Sequence, residues 1–233
     1  MCGVKAMADR LALVVGGNRG IGLGVVGAFL SSGWDVIATA RRPAEALAGV
    51  TVLPVDMADA ASVDWFVAEH LEPALGGRSI DAVLINAGVA GPSHRSAGSA
   101  TVEEIGALMF VNAVAPVRLA RMVVPLLMPE TGVLAFSSSV MGSVALNSGG
   151  GHELYRASKA ALNSLIRGLW GELRGRRLTV LSLHPGWVRT DMGGQGAPVS
   201  VEDSSRGIVR VIEEQSGAHQ HRFLDFQGVE IAW

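Results

Sequence analysis

The stretch "LALVVGGNRGIGLG", residues 11–24, decides how the chain is read. Five apolar residues run without a polar break into a glycine cluster, and a helical pattern follows over 21–32. An uninterrupted apolar run of this kind marks a strand buried on both faces, as in a parallel sheet. Gly16, Gly20 and Gly22 form a G-x-x-x-G-x-G pattern between that strand and that helix. Glycines let the backbone turn sharply and approach a pyrophosphate, whose charge a helix N-terminus favours. Taken alone the cluster equally describes a tight turn, because the chain holds 30 glycines. Its spacing also differs from the commonest dinucleotide fingerprint, G-x-G-x-x-G.

The same alternation continues outward. Apolar runs at 11–15, 35–40, 51–55, 81–85, 132–136, 178–183 and 222–226 read as seven strands. Helical patterns near 21–32, 59–75, 102–127, 153–174 and 201–213 lie between them. Asp59 is placed to cap the second helix, and Thr101 with Glu104 has capping-box spacing for the third. Strands alternating with helices predict an α/β fold: a doubly wound, mostly parallel sheet with helices on both faces. No linker divides the chain, so a tail at 1–7 and one domain at 8–233 are expected. The Gly/Ser-rich stretches 91–100 and 147–151 fall in strand-to-helix connections, where open α/β sheets bind ligands.

Composition narrows the function. Net charge is −2, which gives no general attraction to nucleic acid. The basic run Arg174 to Arg177 ends a predicted helix, where cations complement the dipole. No uninterrupted apolar stretch reaches the roughly 18 residues of a membrane span. One cysteine, Cys2, excludes an intrachain disulfide, and a reducing cytoplasm is the expected compartment. The 6 histidines show no paired ligand spacing, so no metal site is expected. His219 and His221 are expected in a solvated loop. Ser139 lacks a G-x-S-x-G elbow and His184 precedes a proline at a strand end, which argues against serine hydrolase chemistry.

After the second strand comes "TARRP". An NAD site would usually place a carboxylate there for the ribose 2′-hydroxyl. Here Thr39 and Ala40 are followed by Arg41 and Arg42, and Arg19 lies in the glycine loop. Guanidinium groups bind a 2′-phosphate that a carboxylate would repel, so NADP(H) is preferred over NAD(H).

The helix "HELYRASKAALNSLIRGL" (152–169) contains Tyr155, the one tyrosine of the chain, and Lys159 four residues on. That spacing puts both on one face. A phenol titrates near ~10 unperturbed, and an ammonium one turn away would lower that value. Tyr155 is therefore read as a general acid in reduction and a general base in oxidation, with a carbonyl or alcohol as substrate.

These motifs, in this order, resemble the short-chain dehydrogenase/reductase family over residues 8–233, and among its members the C-factor-like and sniffer-like carbonyl reductases. "VGGNRGIG" is similar to TGxxxGxG with Val15 in the threonine position, and "INAG" to NNAG with Ile85 replacing the first asparagine. The resemblance implies a Rossmann fold and a catalytic set of Asn112 from "FVNAVAP", Ser139 from "FSSSVMGS", Tyr155 and Lys159. Ser139 is chosen over Ser137 and Ser138 because Gly142 follows at the family's register. Asn112 is expected in a locally opened helix, fixing a water that relays protons to Lys159. The cofactor is expected against Gly16, Asn18, Arg19, Gly20, Ile21, Gly22, Arg41, Arg42, Asp56, Met57, Asn86, Ala87, Gly88, Tyr155, Lys159, Pro185, Gly186, Val188 and Thr190. Asp56 would meet the adenine amino group and Thr190 the nicotinamide carboxamide. Met141, Leu146, His152 and Trp187 are the expected pocket walls, whose apolar character suits a lipophilic aldehyde or ketone. The stretch after Thr190 is short, so a reduced lid is expected. A homodimer or homotetramer through the apolar helices at 102–127 and 153–174 is also implied. Two other readings stay open: a nucleotide-binding signalling or redox-sensing protein, and an epimerase or dehydratase, which the absence of a second domain weakens.

Overall fold

The structure is a computed structural model that describes residues 8–42 and 49–233; the expected tail at 1–7 lies outside them. Seven strands form one sheet: β1 Leu11–Val15, β2 Asp35–Ala40, β3 Val50–Pro54, β4 Ala82–Ile85, β5 Val133–Ser137, β6 Thr179–His184 and β7 His221–Asp225. Their order is β3-β2-β1-β4-β5-β6-β7, and every strand pairing is parallel. The progression reverses between β1 and β4, which opens a crevice at the carboxyl ends of those two strands.

Helices α1 Gly20–Ser31 and α7 Val201–Glu214 cover one face. The other is covered by α2 Ala60–Phe66, α3 Glu72–Leu75, α5 Ala115–Val123 and α6 Glu153–Leu173, with α4 Val102–Met109 packed on α6. Strand β1 shows why both faces need cover. Leu11, Leu13 and Val15 point into the core under α5 and α6, while Ala12 and Val14 meet Val25, Phe29 and Ile208. Side chains alternate along a strand, so a run apolar at every position is stable only between two helical layers.

The expected caps are present: Asp59 accepts from Ala61 N, and Thr101 and Glu104 form the complete capping box. The helix expected over 102–127 is not uniform. A π-helical turn, Phe110–Val114, separates α4 from α5, and a 3-10 turn follows at Val124–Leu126. Val102–Leu126 is apolar and long enough to cross a membrane, and 61% of its most apolar window is buried inside this fold. No helix intervenes between Thr190 and α7, as the short segment after Thr190 led us to expect.

Candidate active site

The cofactor-binding candidates outside the helices, together with Ser139, leave the sheet at its carboxyl edge. Gly16 to Gly22 follow β1, Arg41 and Arg42 follow β2, and Asp56 and Met57 follow β3. Asn86, Ala87 and Gly88 follow β4, Ser139 follows β5, and Pro185 to Thr190 follow β6. The parallel sheet alone gathers residues from six segments on one edge.

The glycine loop is shaped to admit a phosphate group. A Cβ on Gly22 would lie 2.0 Å from the Gly16 carbonyl oxygen and 2.8 Å from Asn86 Nδ2, so only glycine fits there. The first turn of α1 carries no acid, and Asn18 and Arg19 are exposed beside it. A loop without side chains at its crowded point and an uncompensated helix N-terminus match what a dinucleotide pyrophosphate requires. Thr39 contributes what Val15 does not: its buried hydroxyl accepts from Gly16 N at 3.0 Å, and its carbonyl accepts from Gly17 N. Asn86 ties the next strand in, donating to Gly16 O and accepting from the Ser137 hydroxyl. Arg41 and Arg42 are exposed. Arg19 pairs with Asp191 at 3.3 Å, joining the glycine loop to the segment after β6. Asp56 Oδ1 accepts from Ala58 N, which turns the chain at the end of β3. The Thr190 hydroxyl accepts from Gly193 N at 3.1 Å and lies 3.4 Å from Val188 O.

The catalytic candidates converge around the start of α6. Among the three serines, Ser137 bonds Asn86 and Ser138 bonds Asn163, while Ser139 accepts from Met141 N and bears on the Tyr155 phenol. The register inferred from Gly142 has a spatial cause: a Cβ there would lie 2.8 Å from the Lys159 carbonyl carbon. The turn after Ser139 thus packs directly on the helix that carries Tyr155 and Lys159.

Lys159 is buried, donates to Ser137 O at 2.8 Å, and its Nζ lies 5.8 Å from the Tyr155 ring centroid. Burial pushes its ammonium down to about 8. Burial pushes Tyr155 up to about 12, against the lowering pull of Ser139. This corrects the expected direction for Tyr155: loss of water around the phenol outweighs the partners that would favour phenolate.

Asn112 occupies the π-helical turn, where the expected local opening is found. It is completely buried; Oδ1 accepts from Val89 N, and Nδ2 donates to Val89 O and to the Ser158 hydroxyl. Ser158 in turn donates to Tyr155 O. Asn112 therefore joins the end of β4 to the catalytic helix, and an amide oxygen with two lone pairs retains one acceptor position. The motifs give Ser158 no role and Thr39 none in the glycine loop; the signal for Ser158 is its place three residues after Tyr155, on the same helical face.

The expected pocket walls lie along this edge. Met141 is half-buried, Leu146 is 51% exposed and Trp187 60% exposed, and His152 is exposed. The Trp187 indole donates to Gly193 O and closes the short segment after β6. His184, at the end of β6, is half-buried; burial pushes its imidazole down against the attraction of Asp225.

His221 departs from expectation. It is the buried first residue of β7, not part of a solvated loop. Its ring lies 4.7 Å from Trp233 and 6.3 Å from Trp170, and Nε2 is 3.4 Å from the Ser182 hydroxyl. Burial, with help from Arg167, pushes it down to about 4. His219 is half-buried, with Nε2 2.8 Å from Glu130 O. No three-residue metal-ligand cluster occurs among the described residues.

Fold and site together define a class, an oxidoreductase on a Rossmann-type sheet. The model of the short chain dehydrogenase family matches residues 10–198, and the chain belongs to the short-chain dehydrogenase/reductase family. It is 40% identical over 157 residues to C-signal of Myxococcus xanthus, covering 66% of this chain and 93% of that protein. A carbonyl reductase from Pseudomonas aeruginosa PAO1, solved in complex with NADP, superposes with TM-score 0.87 at 38% identity, covering 98% of this chain and all of that one. The carbonyl reductase Sniffer of D. melanogaster superposes with TM-score 0.84 at 30% identity, covering 97% of this chain and 100% of that one.

Proposed function

We propose that this protein is an NADP(H)-dependent carbonyl reductase, acting reversibly on the corresponding alcohols, with Tyr155 as general acid and base. The observation that carries the reading is the packing at the start of α6: the turn after Ser139 lies directly on Lys159, whose Nζ is 5.8 Å from the Tyr155 ring centroid. The nucleotide supplies the hydride that reaches the carbonyl carbon. Ser139 and Tyr155 together hold the carbonyl oxygen, and Tyr155 gives it the proton that completes the alcohol. A phenol pushed up to about 12 is protonated across the physiological range, the state that reduction needs. Lys159 places a positive charge beside the phenolate left behind, as long as the solution stays below about pH 8. Asn112 and Ser158 keep the helix start in place while the proton moves.

The preference for NADP(H) rests on Thr39, Arg41 and Arg42. The strand end that would carry a ribose-binding carboxylate holds Thr39, committed to the glycine loop, and Ala40, and two exposed guanidinium groups follow. A cytoplasmic homodimer or homotetramer belongs to the same reading; the exposed apolar side chains Val102, Ile105, Val114 and Leu165 give the helices a surface for it.

The experiment is NADPH and NADH oxidation by the purified chain with a panel of aldehydes, ketones and quinones. NADPH is expected to bind more tightly and to support turnover; a chain that binds neither nucleotide ends the proposal. Tight NADPH binding with no turnover across the panel would instead favour a nucleotide-binding signalling role, a reading that the C-signal relative supports.

A further inference from the structure

The loop between β4 and α4 runs from the Asn86–Gly88 turn across to the start of α6, where His152 stands three residues before Tyr155. It is latched there by two contacts: Ala97 N donates to Glu153 Oε2 at 2.7 Å, and Arg95 Nη1 lies 3.3 Å from His152 Nε2. Arg95 has φ 61 and His152 φ 51, two of the five non-glycine positive-φ residues among the described residues. This conformation is unfavourable for L side chains and tends to collect at ligand sites. His152 is the residue that begins α6, yet its side chain does not cap the helix.

The charges at this contact lie on one side of the balance. A guanidinium can only donate, so His152 must meet it through a neutral acceptor nitrogen. Arg156 lies alongside, its Nε donating to Gly151 O. The nearby carboxylates are committed elsewhere: Glu153 to Ala97 N, and Glu104 to Thr101 N and His94. Nine described arginines form ion pairs with carboxylates, but among the described residues none pairs with Arg95 or Arg156. Arg95 pairs with no carboxylate among the described residues and His152 only accepts from it, so the guanidinium keeps further donors for an anion.

We infer that Arg95 and His152 form a carboxylate-binding site at the mouth of the cleft, which selects carbonyl substrates with an anionic group remote from the reacting carbon. Leu146 and Trp187 offer apolar surface on the same edge, so the substrate class is amphiphilic: an oxo acid with an apolar body. The inference rests on the carbonyl reductase reading and adds the recognition of the far end of the substrate.

The test compares levulinate and azelaic semialdehyde with their methyl esters, at two levels. Tryptophan fluorescence of the NADP⁺-loaded protein measures binding; NADPH oxidation measures kcat/KM. The acids are expected to bind and react better than their esters in at least one pair. Arg95→Gln should reduce that acid-over-ester ratio roughly tenfold, and Arg95→Lys should restore part of it. Equal binding of acid and ester, or a ratio unmoved by Arg95→Gln, overturns the inference even if both are reduced. Arg95-dependent binding of the acid with no reduction of any member keeps the anion site and removes the carbonyl reductase reading.

Discussion

The five positive-φ non-glycine residues among the described residues divide between the two edges of the sheet, and the two groups are built differently. Glu130, Arg177 and His219 precede β5, β6 and β7 at the amino edge. They neutralise one another: Arg177 pairs with Glu130 at 3.1 Å, and His219 meets the Glu130 carbonyl. Arg95 and His152 lie at the carboxyl edge, and Arg95 meets the imidazole there without an ion pair to a carboxylate among the described residues. The backbone strain is similar, but one edge is electrostatically closed and the other is left with donors to offer. Strain at the amino edge closes connections; strain at the carboxyl edge aims side chains at a cleft.

The comparison predicts that changes at the carboxyl edge cost activity, whereas changes at the amino edge cost stability. The largest effect is expected for Tyr155→Phe, which should lower turnover by about 10²–10⁴-fold while NADPH binding, read by fluorescence titration, survives. Retained turnover would break the carboxyl-edge half of the comparison. Gly22→Ala should abolish saturable NADPH binding, because the new Cβ would lie 2.0 Å from the Gly16 carbonyl oxygen. Normal nucleotide affinity in that variant would show that the loop is not the phosphate cradle.

The pH dependences separate the edges further. Reduction should slow roughly tenfold per pH unit once Lys159 loses its proton above about pH 8, and a flat rate profile to pH 10 would remove its electrostatic role. His221 acts in the opposite range and on folding. Its imidazole is lowered from an ordinary value of 6.5 to about 4, so between these pH values the unfolded chain binds the extra proton. Stability from this residue is present above pH 6.5 and is lost as pH falls toward 4, by about 3 kcal/mol in all. His221→Phe should flatten that limb of the urea-unfolding profile; an unchanged limb assigns it to another group. The smallest effect is expected from Arg177→Ala. Its ion pair with Glu130 has side chains 60% and 59% exposed, so a loss below about 1 kcal/mol and unchanged kinetics are expected.

Much of the candidate site was legible because its residues sit at fixed offsets from strand ends. The Gly16–Gly22 loop, the Ser139–Gly142 register and the Tyr155–Lys159 pair each depend on local spacing, and each took the predicted position. Even the opening around Asn112 was expected from its place in the motif. The expectation for His221 fails because the last strand begins one residue earlier than its apolar run, and Trp170, Trp233 and Ser182 meet its ring only once the sheet has formed. Thr39 was noticed only as a missing carboxylate; its bond to Gly16 depends on β2 lying beside β1.

Sequence by itself determined the order of strands and helices, the family motifs and the candidate catalytic set, because local periodicity and short-range spacing are properties of the chain. Tertiary structure decided the charge states and the company each group keeps. Burial pushed Tyr155 up and Lys159 down, and the β4–α4 loop crossed to bring Arg95 against His152. Desolvation and contacts between distant segments exist only once the sheet has gathered its carboxyl ends on one edge, and no local pattern encodes them.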